Sequence, residues 1–97
     1  MTIDEFQRLI EDIYFERDSA RGLDGTFMWF AEEVGELAAA IRAGDKAELR
    51  GEFADCLAWL ATLASISGVS LEESIAKYAS GCPGCGCTPC ACPQTKP

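Results

Sequence analysis

Three helix-start signals alternate with three helix-stopping glycines along the first 81 residues of this chain. Thr2 with Glu5, Asp45 with Glu48 and Ser70 with Glu73 each set a capping oxygen three residues ahead of a carboxylate. That pattern satisfies the free amides at a helix N-terminus. Gly44, Gly68 and Gly81 stand where each helix must stop, because glycine readily takes the left-handed conformation of a C′ residue. Apolar residues at helical spacing fill the intervals, and no period-2 alternation marks a strand. The fold class is therefore all-α.

The spacing predicts four helices. The first covers 3–19, with Ile3, Phe6, Ile10, Ile13 and Tyr14 on one side. The segment 19–25 holds two glycines and reads as a loop. The second helix covers 26–43, with Phe27, Phe30, Val34, Leu37, Ala38 and Ile41 as its apolar stripe. The third lies between Asp45 and Gly68 and carries Leu49, Phe53, Cys56, Leu57, Leu60, Leu63 and Ala64. A short fourth covers 71–79. On this reading 1–80 is a helical domain, and 81–97 is a separate tail with five Cys and four Pro. About 80 residues make a marginal core, so completion by homo-oligomerisation, most simply a dimer, is expected.

Two acidic motifs fall on the second and third helices: Glu32-Glu33-x-x-Glu36 and Glu52-x-x-Asp55. An i, i+3 step puts both acids of a pair on one helix face. Glu33/Glu36 and Glu52/Asp55 each flank the apolar stripe, with Trp29 on the first acidic strip and Trp59 on the second. Packing the two core faces across the tight turn near Gly44 brings the strips together at one edge, with Glu36 and Glu52 at the same height. Acids converging in this way repel unless a cation lies between them. Mg²⁺ suits such oxygen donors and commonly links protein carboxylates to phosphate.

These residues resemble the MazG-type nucleoside triphosphate pyrophosphohydrolases, whose signature is EExxE followed on the next helix by ExxD. The likeness is densest in TFMWFAEEVGELAAAIR and EFADCLAWLATLA. It implies a four-helix MazG-like bundle completed by oligomerisation, as a dimer or tetramer with a pocket partly at the subunit interface. It also implies Mg²⁺-dependent (or Mn²⁺-dependent) cleavage of an NTP or dNTP to the monophosphate and pyrophosphate. Glu33, Glu36, Glu52 and Asp55 match the family's metal ligands. Glu32 matches the first acid of the motif, with a supporting or water-orienting role beside Glu33. Lys77 matches a position that often carries a basic residue. Arg17, Arg21 and Arg42 are further candidates for the triphosphate, and Trp29 and Trp59 for stacking a base.

The tail reads Cys82-Pro-Gly-Cys85-Gly-Cys87-Thr-Pro-Cys90-Ala-Cys92. Cysteine pairs on Gly/Pro-rich turns are a strong zinc signal. Cys82, Cys85, Cys90 and Cys92 form the best structural set, within one chain or shared between subunits, with Cys87 spare or an alternative. A free-thiol tail and an Fe–S or redox role are the competing readings. Cys56, on an apolar face, reads as a small buried hydrophobe.

Sixteen acids against eight bases give a net charge of −8. No basic patch marks a nucleic-acid binder. No apolar run approaches 18 residues, so no membrane span is expected. The acidic, amphipathic start is unlike a signal peptide, which makes the cytoplasm the expected compartment. A rival function is a non-catalytic helical oligomerisation or nucleotide-sensing protein that uses the tail to recruit a partner.

Overall fold

A computed structural model describes residues 1–93; the end of the expected tail, 94–97, lies outside them. The described residues form helices and turns and no strand. Helix α1 is Ile3–Ala43, α2 is Lys46–Ile66 and α3 is Leu71–Ile75, followed by a 3-10 turn at Ala76–Tyr78. The expected caps are in place. Thr2 and Glu5 make both bonds of a capping box. Asp45 accepts from the amides of Ala47 and Glu48, and Ser70 from that of Glu73. Gly44 closes α1 in the left-handed conformation, donating to the Ala40 carbonyl.

The loop expected over 19–25 is not a loop. Helix runs up to and away from a single non-helical residue, Gly22, at φ 80° and ψ 176°. That combination is essentially open to glycine alone. The four expected helical segments are therefore present, but the first two are arms of one bent helix. Side chains fasten the bend. Thr26 Oγ1 donates to the Gly22 carbonyl at 2.7 Å. Arg21 Nη1 donates to Thr26 Oγ1 at 3.3 Å and to Asp18 Oδ1 at 3.0 Å. Thr62 on α2 donates to Asp18 Oδ2 at 3.0 Å. Asp18 is buried, yet its charge is paired and bonded, which is what a buried carboxylate requires.

The bend lets α1 pack on α2 twice. The first arm lies against the C-terminal half of α2, where Gln7 bonds Ser65 and the Val69 carbonyl. The second arm runs antiparallel to α2. α3 departs from α2 at 104° and meets the start of α1, where the Asp4 amide donates to Glu72. No single helix among the described residues is long and apolar enough to cross a membrane.

Helix orientation departs from expectation. The stripe of large apolar residues was expected to fill the α1–α2 seam, with the acidic strips at its edge. Instead the second arm turns Thr26 and Ala40 inward, fully or nearly buried, with the half-buried Glu33 between them at seven-residue spacing. Phe27, Val34 and Ile41, at the next positions round, are exposed. On α2 the buried residues are Ala61, Thr62 and Ala64, while Phe53, Leu57 and Leu60 are exposed. The expected stripe is thus split: Phe30, Leu37, Leu49 and Leu63 are half-buried and Ala64 buried, while the rest faces outward; small side chains at the buried positions permit helices to pack closely.

Because Gly22 has nothing within 4 Å of where a Cβ would lie, alanine there meets only backbone strain. Gly22→Ala is expected to lower stability by about 1–3 kcal/mol, read as a shifted urea midpoint with an unchanged slope.

Candidate functional site

The inward turn of Glu33 decides the chemistry of the seam. Carboxylate oxygens of Glu33, Glu36 and Glu52 lie within 4.8 Å of one another. Glu33 Oε1 and Glu52 Oε2 are buried with no hydrogen-bond partner among the described residues. Native proteins rarely leave buried acceptors so. The facing Glu52 carboxylate, then desolvation and the Glu36 charge, push the Glu33 carboxyl up to about 8. A shared proton or a bound cation is what relieves such crowding. Hard oxygen donors crowded at this separation fit a divalent ion.

The fourth expected ligand stands apart. Asp55 is exposed on α2 and outside the three-carboxylate cluster; it lines a cavity of about 240 Å³ beside it. Ile10, Tyr14, Arg17, Arg21 and Trp59 also line this cavity. Arg21, fixed by the bend, places its guanidinium 4.9 Å from the centre of the Trp59 ring. Trp59 stacks on Trp29 with centroids 6.4 Å apart and planes 10° apart. The two tryptophans expected on separate acidic strips are therefore one stacked pair. Glu32 is exposed, outside the cluster.

Lys77 is not brought to this site. It sits in the 3-10 turn with its ammonium 5.3 Å from the Tyr78 ring centre. About 20 Å of helix separates Glu52 from the end of α2 alone. The nearby positive charges come instead from Arg17 and Arg21, on the first arm. Cys56 is half-buried at the seam, and its thiol donates to the Glu33 carbonyl at 3.6 Å. Burial, then the Glu33 charge, raises its pKa. The Asp18–Arg21–Thr26 clasp was not read from the sequence. Its signal is an Asp and an Arg at i, i+3 immediately before a glycine.

In the tail, the sulfurs of Cys82, Cys85, Cys90 and Cys92 also lie within 4.8 Å of one another. The Ala91 and Cys87 amides draw the Cys85 thiol down to about 6. The sulfurs of Cys90, Cys85 and Cys82 push Cys92 up to about 12.

The structure is thus a bent helical hairpin that gathers three carboxylates at its seam, with a cavity lined by Arg17, Arg21 and Trp59. Residues 22–84 match the family model described as the MazG nucleotide pyrophosphohydrolase domain. The chain belongs to the MazG family, an all-α family that is typically divalent-metal dependent and acts on nucleoside triphosphates. No curated protein matches the chain.

The crowded acids give a pH dependence. Folded, metal-free protein keeps a proton on Glu33 that the unfolded chain releases above about 4.5. Stability is therefore fully present below about 4.5 and falls as pH rises through about 8. Thermal melts in EDTA are expected to show this decline, and Glu33→Gln to flatten it. Added Mg²⁺ is expected to restore the wild-type protein at pH 8 but not the variant.

Proposed function

We propose that the protein is a Mg²⁺-dependent nucleoside triphosphate pyrophosphohydrolase, releasing a nucleoside monophosphate and pyrophosphate. The observation that carries this reading is the pair of buried, partnerless oxygens on Glu33 and Glu52 in a chain of this family. Glu33, Glu36 and Glu52 hold the ion, and Asp55, one turn beyond Glu52, is the fourth ligand on the cavity side. An ion held by these carboxylates would supply charge neutralisation and orientation to the triphosphate. Mn²⁺, with the same oxygen preference, substitutes.

The chain's own residues do the rest. Arg17 and Arg21 supply positive charge to the phosphates. Arg21 is held by Asp18 and Thr26, so it loses little side-chain freedom on binding. The Trp29–Trp59 pair offers an aromatic face to the base, with Trp29 half exposed. Glu32, beside Glu33, supports or orients the attacking water. Without the ion this acidic site repels a triphosphate; with it the local sign is reversed.

The working form is a dimer or tetramer. A compact monomer of this mass exposes about 5,400 Å², whereas this chain exposes 7224 Å². Phe27, Val34, Ile41, Phe53, Leu57 and Leu60 supply large apolar area to cover. The cavity, about 240 Å³, is also smaller than the roughly 300–1,000 Å³ of common ligand pockets, and a partner subunit would enlarge it. Light scattering is expected to give at least twice the chain mass, and Phe53→Lys to lower it.

Pyrophosphate release from a panel of NTPs and dNTPs tests the activity, with Mg²⁺, Mn²⁺ or EDTA. Metal-dependent release from at least one nucleotide is expected. Glu36→Gln and Asp55→Asn should each cost more than the roughly 10–100-fold typical of a supporting residue. Arg21→Ala should raise KM. Mg²⁺-dependent nucleotide binding without turnover would make the protein a sensor instead.

A further inference from the structure

The seam chemistry leaves the cysteine tail unused, and the tail has almost nothing else to fold around. Apart from cysteines, residues 81–93 offer Ala91, prolines, glycines and one threonine. No apolar core is possible there. Yet four sulfurs converge. Cys82 and Cys90 are 3.5 Å apart, Cys82 and Cys92 3.7 Å, and Cys85 and Cys90 4.0 Å. A tetrahedron of thiolates at the Zn–S bond length of about 2.3 Å has an edge of about 3.8 Å. The observed separations bracket that edge.

We propose that Cys82, Cys85, Cys90 and Cys92 of a single chain hold one zinc ion in a closed structural site, with Cys87 excluded. All four sulfurs belong to one chain and already surround one point, so no second subunit is needed to complete the set. Backbone amides support the thiolate charge. Gly84 donates to Cys82 Sγ, Ala91 to Cys85 Sγ and Cys92 to Cys90 Sγ, at 3.3–3.4 Å. Such supporting bonds orient ligands and offset the excess negative charge of four thiolates on one dication. The turn is closed by Cys82 N–H to the Cys87 carbonyl at 3.0 Å. A Cβ on Gly84 would come within 3.1 Å of Cys92 Sγ, so glycine makes room for the fourth sulfur. Cys87 instead directs its thiol at the Cys85 carbonyl.

The donor set narrows the class of ion. Four soft thiolates with no open position suit a structural site rather than a catalytic one, and zinc or a single iron rather than a hard cation. A cluster of several irons needs its cysteines further apart than a single ion does. The tail ion and the seam ion are thereby sorted by donor hardness, and the zinc site stands whether or not the chain hydrolyses nucleotides.

Cobalt substitution tests this on the full chain, chelator-treated and kept reduced. Co²⁺ should develop thiolate charge-transfer and tetrahedral visible bands that saturate at one ion per chain and disappear on adding equimolar Zn²⁺. Carboxylate-bound cobalt gives no thiolate band, so the seam does not interfere. Cys82→Ser and Cys90→Ser should each weaken Co²⁺ binding by about 100-fold or more, with far-UV helicity retained. Cys87→Ser and Cys56→Ser should bind as wild type. Saturation at half an ion per chain, bands lost in Cys87→Ser, bands kept in Cys82→Ser, or purified protein carrying iron in place of zinc, with or without sulfide, would each overturn the proposal.

Discussion

Everything in the helical domain depends on the bend at Gly22. One residue outside helical space turns a 41-residue helix into two arms that both pack on α2. The first arm delivers Ile10, Tyr14, Arg17 and Asp18, and the second delivers Trp29, Glu33 and Glu36. The bend's fastening and the cavity's charge are the same object, since Arg21 both ties Asp18 to Thr26 and faces Trp59. A clasp that must hold a fold is also a rigid way to present a guanidinium.

The seam follows a different logic from an ordinary helical core. Small, hydroxyl and acidic residues (Thr26, Glu33, Ala40, Ala61, Thr62 and Ala64) are the buried or half-buried ones along it, with Phe30, Leu37, Leu49 and Leu63 half-buried beside them. Phe27, Val34, Ile41, Phe53, Leu57 and Leu60 lie exposed outside it. Placing Glu33 and Glu52 there costs stability in the metal-free chain, because their buried oxygens find no donor among the described residues. A shared proton or a cation is what would relieve that cost. The arrangement leaves large apolar residues on the outer faces of α1 and α2 exposed.

Much of this was legible in the sequence, and the failures are specific. Capping residues read correctly because a cap is a local hydrogen-bond pattern. Glu33, Glu36 and Glu52, and the four cysteines, come together as their spacing suggests, because spacing alone sets which side chains share a helix face or a tight turn. The segment 19–25 misread as a loop because two glycines look alike in a string, while only Gly22 takes the glycine-only conformation. The apolar stripe was assigned to the seam because hydrophobic patterning cannot say whether a stripe faces its own hairpin or another chain. Asp55 lies outside the three-carboxylate cluster and Lys77 in the 3-10 turn, positions that spacing does not give because where a side chain ends up depends on which elements pack against it. Arg21 was one candidate among several cations until the bend gave it partners.

The register of the second arm has one further consequence. Thr26 and Glu33 are seven residues apart, two helical turns, so the clasp and the acidic seam share one phase of α1. Inserting or deleting one residue between them would rotate one against the other by about 100°. The chain could then keep the bend fastened or the carboxylates converged, but not both. Length variation among relatives should accordingly be absent from 26–33 and tolerated at the turn after Ala43, where no such phase is shared.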